Sequence, residues 1–337
     1  MAYLIRCSVG SILFDEEPKS RKITSVTMRI EPVNALPENF QQFQQEIGAG
    51  MGVLYGRQAE LFFHARARQA LTDQLHQDDM LAWAALSSRG DTLGLLFVIL
   101  DGCLARVTLL HVLADSRDEN IACLLMVHAI EVLRGAGVES ILYDTAGADA
   151  PNLEALALRH GFIKCPRRLM RLEGAAILEQ ERRHNAAGEC LPPERIAEAA
   201  ACMVRAYENH PDRILYHELR VHQEACLFLR RVMAGAYGQV SPHWIRAAWD
   251  GPQCAGGIVA CRVFPGTLFI LQLFTHPEYR GQGIATGLIA DIAQEARQGG
   301  ADTQLFLGVS ENNPAVALYS RLGFRPIHRT NAYVWRR

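Results

Sequence analysis

The sequence predicts an α/β protein made of two tandem mixed α+β domains, and three observations lead there. Its 337 residues suffice for two domains at roughly 100 to 200 residues each. The segments Ala105–Phe162 and Leu268–Phe324 run through the same elements in the same order, which marks an internal repeat. Upstream of each, two apolar runs flank a polar turn in the manner of a hairpin.

In the first copy the hairpin joins Leu81–Leu86 to Leu93–Leu100 around Ser87-Ser88-Arg89-Gly90-Asp91. An apolar strand, Val107–Leu113, then leads through Ser116-Arg117-Asp118-Glu119-Asn120 into a helix with Ile121, Leu125, Met126, Ala129, Ile130 and Leu133 facing inward. That helix ends near Gly135 and Gly137; a short strand (Ser140–Tyr143) and a helix closing on Gly161-Phe162 follow. In the second copy the hairpin joins His243–Trp249 to Gly257–Val263, and the strand Leu268–Thr275 leads through Tyr279-Arg280-Gly281-Gln282-Gly283 into a helix. Its inward positions are Ile284, Leu288, Ile289, Ile292, Ala293 and Ala296, on the same 3.6-residue period. The strand Thr303–Val309 and a helix closing on Gly323-Phe324 complete it. Helical stretches, meandering strands and then strand-helix-strand-helix-strand make a mixed α/β domain of about 150 residues. The expected boundaries are an extension over 1–22, a first domain over 23–173, a linker over 174–192 and a second domain over 193–337, opening at the helix-start signal Pro192-Pro193.

Composition narrows the function. Hydrophobic residues make up 49% and charged residues 21%, as in a folded globular protein. The 34 basic residues against 36 acids give a net charge of −2, which offers no field for a polyanion, so neither nucleic acid nor a membrane surface is the expected partner. A small-molecule substrate is expected instead, with the chain a monomer or homodimer. The longest apolar run, Leu93–Leu100, is less than half a bilayer span. Met1–Phe14 lacks a basic start and is interrupted by Arg6, so it reads poorly as a signal peptide and the expected location is cytoplasmic. Nine scattered cysteines without a CxxC or metal spacing read as reduced thiols, with no metal site.

Gly281 and Gly283 lie between an apolar strand and the first turn of a helix, where backbone N–H groups lack partners and the helix dipole is positive. Two alternating glycines let the backbone approach an anion without interference from Cβ, and Arg280 can add charge at the edge. By itself Arg-Gly-Gln-Gly is a weak signal; it is neither a Walker A loop nor a full GxGxxG fingerprint. The wider run His276-Pro277-Glu278-Tyr279-Arg280-Gly281-Gln282-Gly283-Ile284-Ala285, however, resembles the acetyl-CoA-binding motif of the GNAT superfamily of N-acetyltransferases. Asn312-Asn313-Pro314-Ala315-Val316-Ala317-Leu318-Tyr319-Ser320-Arg321-Leu322-Gly323-Phe324 resembles the family's second motif. The likeness spans about Pro193–Arg337 and, more weakly, Val26–Glu173: a tandem GNAT arrangement.

The resemblance implies domains with a mostly antiparallel twisted sheet flanked by helices, and a central pair of strands that splay apart. Acetyl-CoA, a cosubstrate, would lie in the resulting V. Backbone at Leu273, Phe274 and Thr275 would meet the pantetheine arm, and the amides of Arg280, Gly281, Gln282, Gly283, Ile284 and Ala285 the pyrophosphate. Asn312 would hold the pantetheine or cap the helix, and Tyr319 would protonate the departing thiolate. The base that deprotonates the acceptor, a primary amine or a peptide N-terminus, varies in position within the family; Glu311, Glu278 and His276 are candidates here. The loop Glu208–Arg213 falls where the family places acceptor-binding residues. The first copy departs from the motif, with Asp118 and Asn120 at the positions of Gly281 and Gly283 and Ala157 at that of Tyr319, so it reads as a degenerate copy. The implied activity is acetyl transfer to an amine in a ternary complex. A non-catalytic acyl-CoA-binding protein, and an enzyme like the mycothiol synthases, which share the tandem layout, are the alternatives.

Overall fold

The computed structural model describes residues 28–76, 79–116, 119–145, 151–172, 188–298 and 303–337. The expected extension 1–22, most of the expected linker and Asp118 lie outside these residues. The chain divides into two compact units: the described residues up to Pro166 together with Thr330–Arg337, and Arg167–Arg329.

The first unit runs, in chain order, β1 (Arg29–Pro32), α1 (Phe40–Tyr55), α2 (Arg57–Leu75), β2 (Met80–Leu86), β3 (Thr92–Asp101), β4 (Leu104–Val112), α3 (Glu119–Gly135), β5 (Ser140–Thr145) and α4 (Pro151–Arg159). Next comes β6 (Ile163–Leu172), which crosses into the second unit at Arg167. The second unit continues with β7 (Glu189–Cys190), α5 (Ile196–Ala206), α6 (His222–Met233), β8 (Ile245–Asp250), β9 (Gln253–Phe264), β10 (Thr267–Thr275), α7 (Ile284–Gln298), β11 (Gln304–Ser310), α8 (Ala315–Arg321) and β12 (Phe324–Arg336). The short strand β7 falls inside the expected linker and pairs with β8 through Glu189↔Ala247.

Both units carry the splayed pair. β4 runs parallel to β5 from Leu104↔Ser140 to Val107↔Tyr143 only, yet continues along β3 as far as Val112. β10 runs parallel to β11 from Thr267↔Gln304 to Ile270↔Leu307, yet continues along β9 as far as Thr275. A one-residue bulge stands where each pair parts, at Thr108 and at Leu271. A bulge bends its strand and increases the local twist, which carries the rest of the strand away from its parallel neighbour.

The closing strand of each repeat is exchanged. Asn331–Arg336 of β12 lies antiparallel to β5, and Arg167–Arg171 of β6 lies antiparallel to β11. A contiguous division at 23–173 and 193–337 therefore differs from the compact units by these two strands. The unpaired edge of β5 or β11 must find backbone partners, and repeat spacing carries no information about which strand supplies them.

Each core rests on the periodic helix face read from the sequence. Ile121, Leu125, Met126, Ala129, Ile130 and Leu133 of α3 are buried against Leu96, Val98 and Leu110 in the first unit. Ile284, Leu288, Ile289, Ile292, Ala293 and Ala296 of α7 are buried against Ile258, Ala260 and Leu268 in the second. Among the described residues, no helix is long and apolar enough to cross a membrane.

Candidate active site

Beyond Ile270, β10 keeps β9 on one edge, while its pairing with β11 has ended. Tyr207, just past α5, reaches the strand: its hydroxyl is 3.0 Å from Gln272 Oε1 and 3.2 Å from the Leu273 carbonyl. Residues of an extended strand present N–H and C=O to the same edge. The Leu273 amide therefore faces the side on which Tyr207 meets its carbonyl. Burial first, then the neighbouring Tyr319 and Asp212, pushes the Tyr207 phenol well above its ordinary range.

After β10 the chain makes a short 3-10 turn, Pro277–Tyr279, which His276 caps by accepting from the Glu278 N–H at 3.4 Å. Gly281 and Gly283 then take φ of 80° and 79°, in the left-handed region that disfavours any Cβ. A Cβ added at Gly281 would have nothing within 4 Å, so the space above the loop is open and the cost of a side chain there is torsional. The bond from the Gly287 N–H to the Gly283 carbonyl (2.9 Å) opens the ladder of α7, leaving the amides of the first turn available to an anion at the positive end of the helix.

A cavity of about 520 Å³ joins these parts. Its walls include Leu273, Phe274 and Thr275 of β10, then Arg280, Gly281, Gly283, Ile284 and Ala285 of the loop and helix start, and Tyr319 of α8. His210 of the expected acceptor loop and Asn313 of the second motif line it too, as does Tyr207, which no motif in the sequence singles out. Tyr319 is buried and meets Phe324 edge-on, with ring centroids 5.8 Å apart. Burial, and then the Asp212 carboxylate, pushes its phenol up, so it stays a proton donor at neutral pH.

Other expected residues stand elsewhere. Arg280 Nη2 donates to the Ala206 carbonyl at 2.7 Å, tying the glycine loop to the end of α5. Gln282 is exposed, its amide 3.4 Å from the Glu278 carbonyl. Glu311 is not in the cavity lining; Arg168 (3.0 Å) and Arg329 (3.6 Å) hold its carboxylate. Asn312 is exposed, and the next residue does the capping: Asn313 Oδ1 accepts from the Ala315 N–H at 2.8 Å. Glu278 is exposed, and the ring of His276 is engaged in its cap.

The loop after α5 builds a buried polar group. His210 Nδ1 accepts from the Asp212 N–H at 3.1 Å, so the neutral ring carries its hydrogen on Nε2. Burial lowers the His210 pKa, with Asp212 opposing that effect. Asn313 Nδ2 donates to Asp212 Oδ2 at 3.1 Å, joining the loop to the start of the helix that bears Tyr319. Asn313 lies in the second motif, and His210 and Asp212 lie in the expected acceptor loop; Tyr207 and Gln272 belong to neither.

Residues 200–324 match the model of the acetyltransferase (GNAT) family. No curated protein matches the chain. Among solved structures it is similar to a GCN5-related N-acetyltransferase from Sphaerobacter thermophilus, with 16% identity, a TM-score of 0.62 and coverage of 92% of this chain and 95% of that one. It is also similar to a tandem GNAT protein of the clavulanic acid biosynthesis pathway, with 19% identity, a TM-score of 0.55 and coverage of 92% and 98%. At such identities these likenesses establish the fold.

Proposed function

We propose that the second unit, whose residues 200–324 match the acetyltransferase (GNAT) family model, transfers an acetyl group from acetyl-CoA to a primary amine. The observation that carries this reading is that one cavity is lined together by β10 beyond its parting from β11, by the glycine turn opening α7 and by the buried Tyr319. The loop suits a pyrophosphate: two left-handed glycines, open space over Gly281, and helix-start amides. The Leu273 amide is the donor for the thioester oxygen and for the oxyanion that forms as the amine nitrogen attacks the carbonyl carbon. As the C–S bond breaks, Tyr319 gives its proton to the sulfur, and the amine proton leaves to solvent. The Tyr207 hydroxyl, bonded to the Leu273 carbonyl, fixes the orientation of that stretch of backbone.

The test is release of free thiol from acetyl-CoA across polyamines, amino sugars, amino acids and peptides, with the acetylated amine identified by mass. Binding of acetyl-CoA with no acetylated product from any amine would favour a binding protein over an enzyme.

A further inference from the structure

We infer that Cys202 and Cys254 form a dithiol that hydrogen peroxide oxidises to a disulfide, cross-linking α5 to β9 behind the wall of the cavity. The inference stands whether or not the second unit transfers acyl groups.

Cys202 lies on the buried face of α5, which packs against β9, and Cys254 stands near the start of that strand. The two residues are 4% and 3% exposed, and both are free thiols. Cys202 is hydrogen-bonded to Cys254, and Cys254 Sγ in turn meets the Gly256 carbonyl at 3.5 Å. The fold alone therefore makes the two sulfurs neighbours. Their burial restricts the oxidant to a molecule not much larger than water, which suits hydrogen peroxide and shuts out a bulky disulfide.

The two thiols are unequal. The bond from Cys202, with Arg195 adding to it, holds the Cys254 thiol below its ordinary range, whereas the same bond and then burial push Cys202 up. Cys254 is thus the nucleophile and Cys202 the thiol that resolves it. The Cys254 sulfur attacks one peroxide oxygen; the O–O bond breaks, and hydroxide leaves with the thiol proton as water. The Cys202 sulfur then attacks the sulfenic acid at Cys254; the S–O bond breaks, and a second water leaves with the Cys202 proton. Two thiols are oxidised by two electrons, and the peroxide is reduced to two waters.

One turn beyond Cys202, the Ala206 carbonyl takes Arg280 of the glycine loop, and Tyr207 holds the Leu273 carbonyl. On the other side, Gly256 pairs with Thr275 of β10. The disulfide would join the two elements that back Leu273–Thr275 in the cavity wall.

The test keeps the full, reduced chain with hydrogen peroxide well below its melting temperature and maps its peptides without reductant. A peptide pair linked through Cys202 and Cys254 is expected, short of two hydrogens and restored by dithiothreitol. The oxidised wild type should melt several degrees above the reduced protein, because the cross-link restricts the unfolded chain. Cys202→Ala and Cys254→Ser should each lose both the link and the gain, and the wild-type map decides the matter even where a variant fails to fold. Unchanged thiols, a sulfinic acid at either cysteine without the link, or a link to a different cysteine would overturn the inference. So would a melting temperature no higher after oxidation, or a gain that survives in either variant.

Discussion

In the first unit β4 leaves β5 after Val107, and in the second β10 leaves β11 after Ile270, each with one bulged residue at the parting. The scaffolds match to that point, and then the turns after the two strands differ. In the first unit Glu46 of α1 accepts from the Ala114 N–H at 3.0 and 3.1 Å and bonds Nε2 of the buried His111 at 2.9 Å. A carboxylate of the chain itself thus sits against the turn. In the second unit the corresponding turn carries two left-handed glycines and leads to a cavity. Asn120 and the buried Ala157 stand where Gly283 and Tyr319 stand in the second. The difference teaches that the apolar register of strand and helix suffices to make this fold. In the proposed reading, the means of holding an anion and moving a proton reside in a few positions that can differ between the units without disturbing it.

The sharpest way to break the comparison is at Tyr319. Tyr319→Phe should lower kcat by roughly 10² to 10⁴, the usual contribution of a positioned acid, and leave acetyl-CoA affinity near wild type. Unchanged turnover, with chemistry shown to limit the rate, would reduce Tyr319 to packing. Gly281→Asp gives the second unit the first copy's residue at that position. The left-handed φ and the added charge beside a phosphate, about 4 kcal/mol at 4 Å and an effective dielectric of 20, should weaken acetyl-CoA binding by about 10³, as read by calorimetry. Wild-type affinity in that variant would remove the loop from the binding site.

Glu46→Gln probes the first unit. It weakens a charge-assisted set of hydrogen bonds that is buried only at His111 and should destabilise that unit by about 1 to 2 kcal/mol in thermal or denaturant melts. Both this variant and the wild type should still saturate at one acetyl-CoA per chain. A second equivalent bound would contradict the contrast between the units.

The smallest effect is expected at Glu154, which accepts from Lys164 (2.7 Å) and from the Tyr333 hydroxyl of β12 (3.1 Å). The bond from Lys164, first of all, holds its carboxyl below the ordinary value. Its stabilisation is therefore full above the unfolded carboxylate pKa and is lost as pH falls through the lower folded one. The pair is partly exposed, so Glu154→Gln should cost no more than about 1 kcal/mol at neutral pH. The gap from wild type should close in acid; a gap that persists there would assign the effect to shape rather than charge.

Much of this was legible before any coordinates. The inward positions of α3 and α7 follow from a 3.6-residue period, and that period survives because burying those side chains is what makes each helix dock. Gly281, Gly283 and Tyr319 were legible because they sit within short contiguous motifs. Glu311 and Asn312 were named for the same local reason, but Glu311 stands outside the cavity lining and the cap falls to Asn313. Nothing near Glu311 in the sequence announces Arg168, and the choice of Asn313 over Asn312 as the cap depends on which side chain faces the Ala315 amide.

By itself, then, the sequence determined the duplication, the two helix faces, the place of the glycine turn and the loss of motif residues from the first copy. Each of these is a matter of local torsion or of apolar spacing along a few turns. Only the tertiary structure decided that β6 joins β11 and that β12 joins β5, that Glu46 meets His111, and that Asp212 lies against Asn313. Backbone edges and carboxylates are satisfied by whichever donor arrives in space, so partners 65 or 101 positions apart leave no periodic trace in the chain.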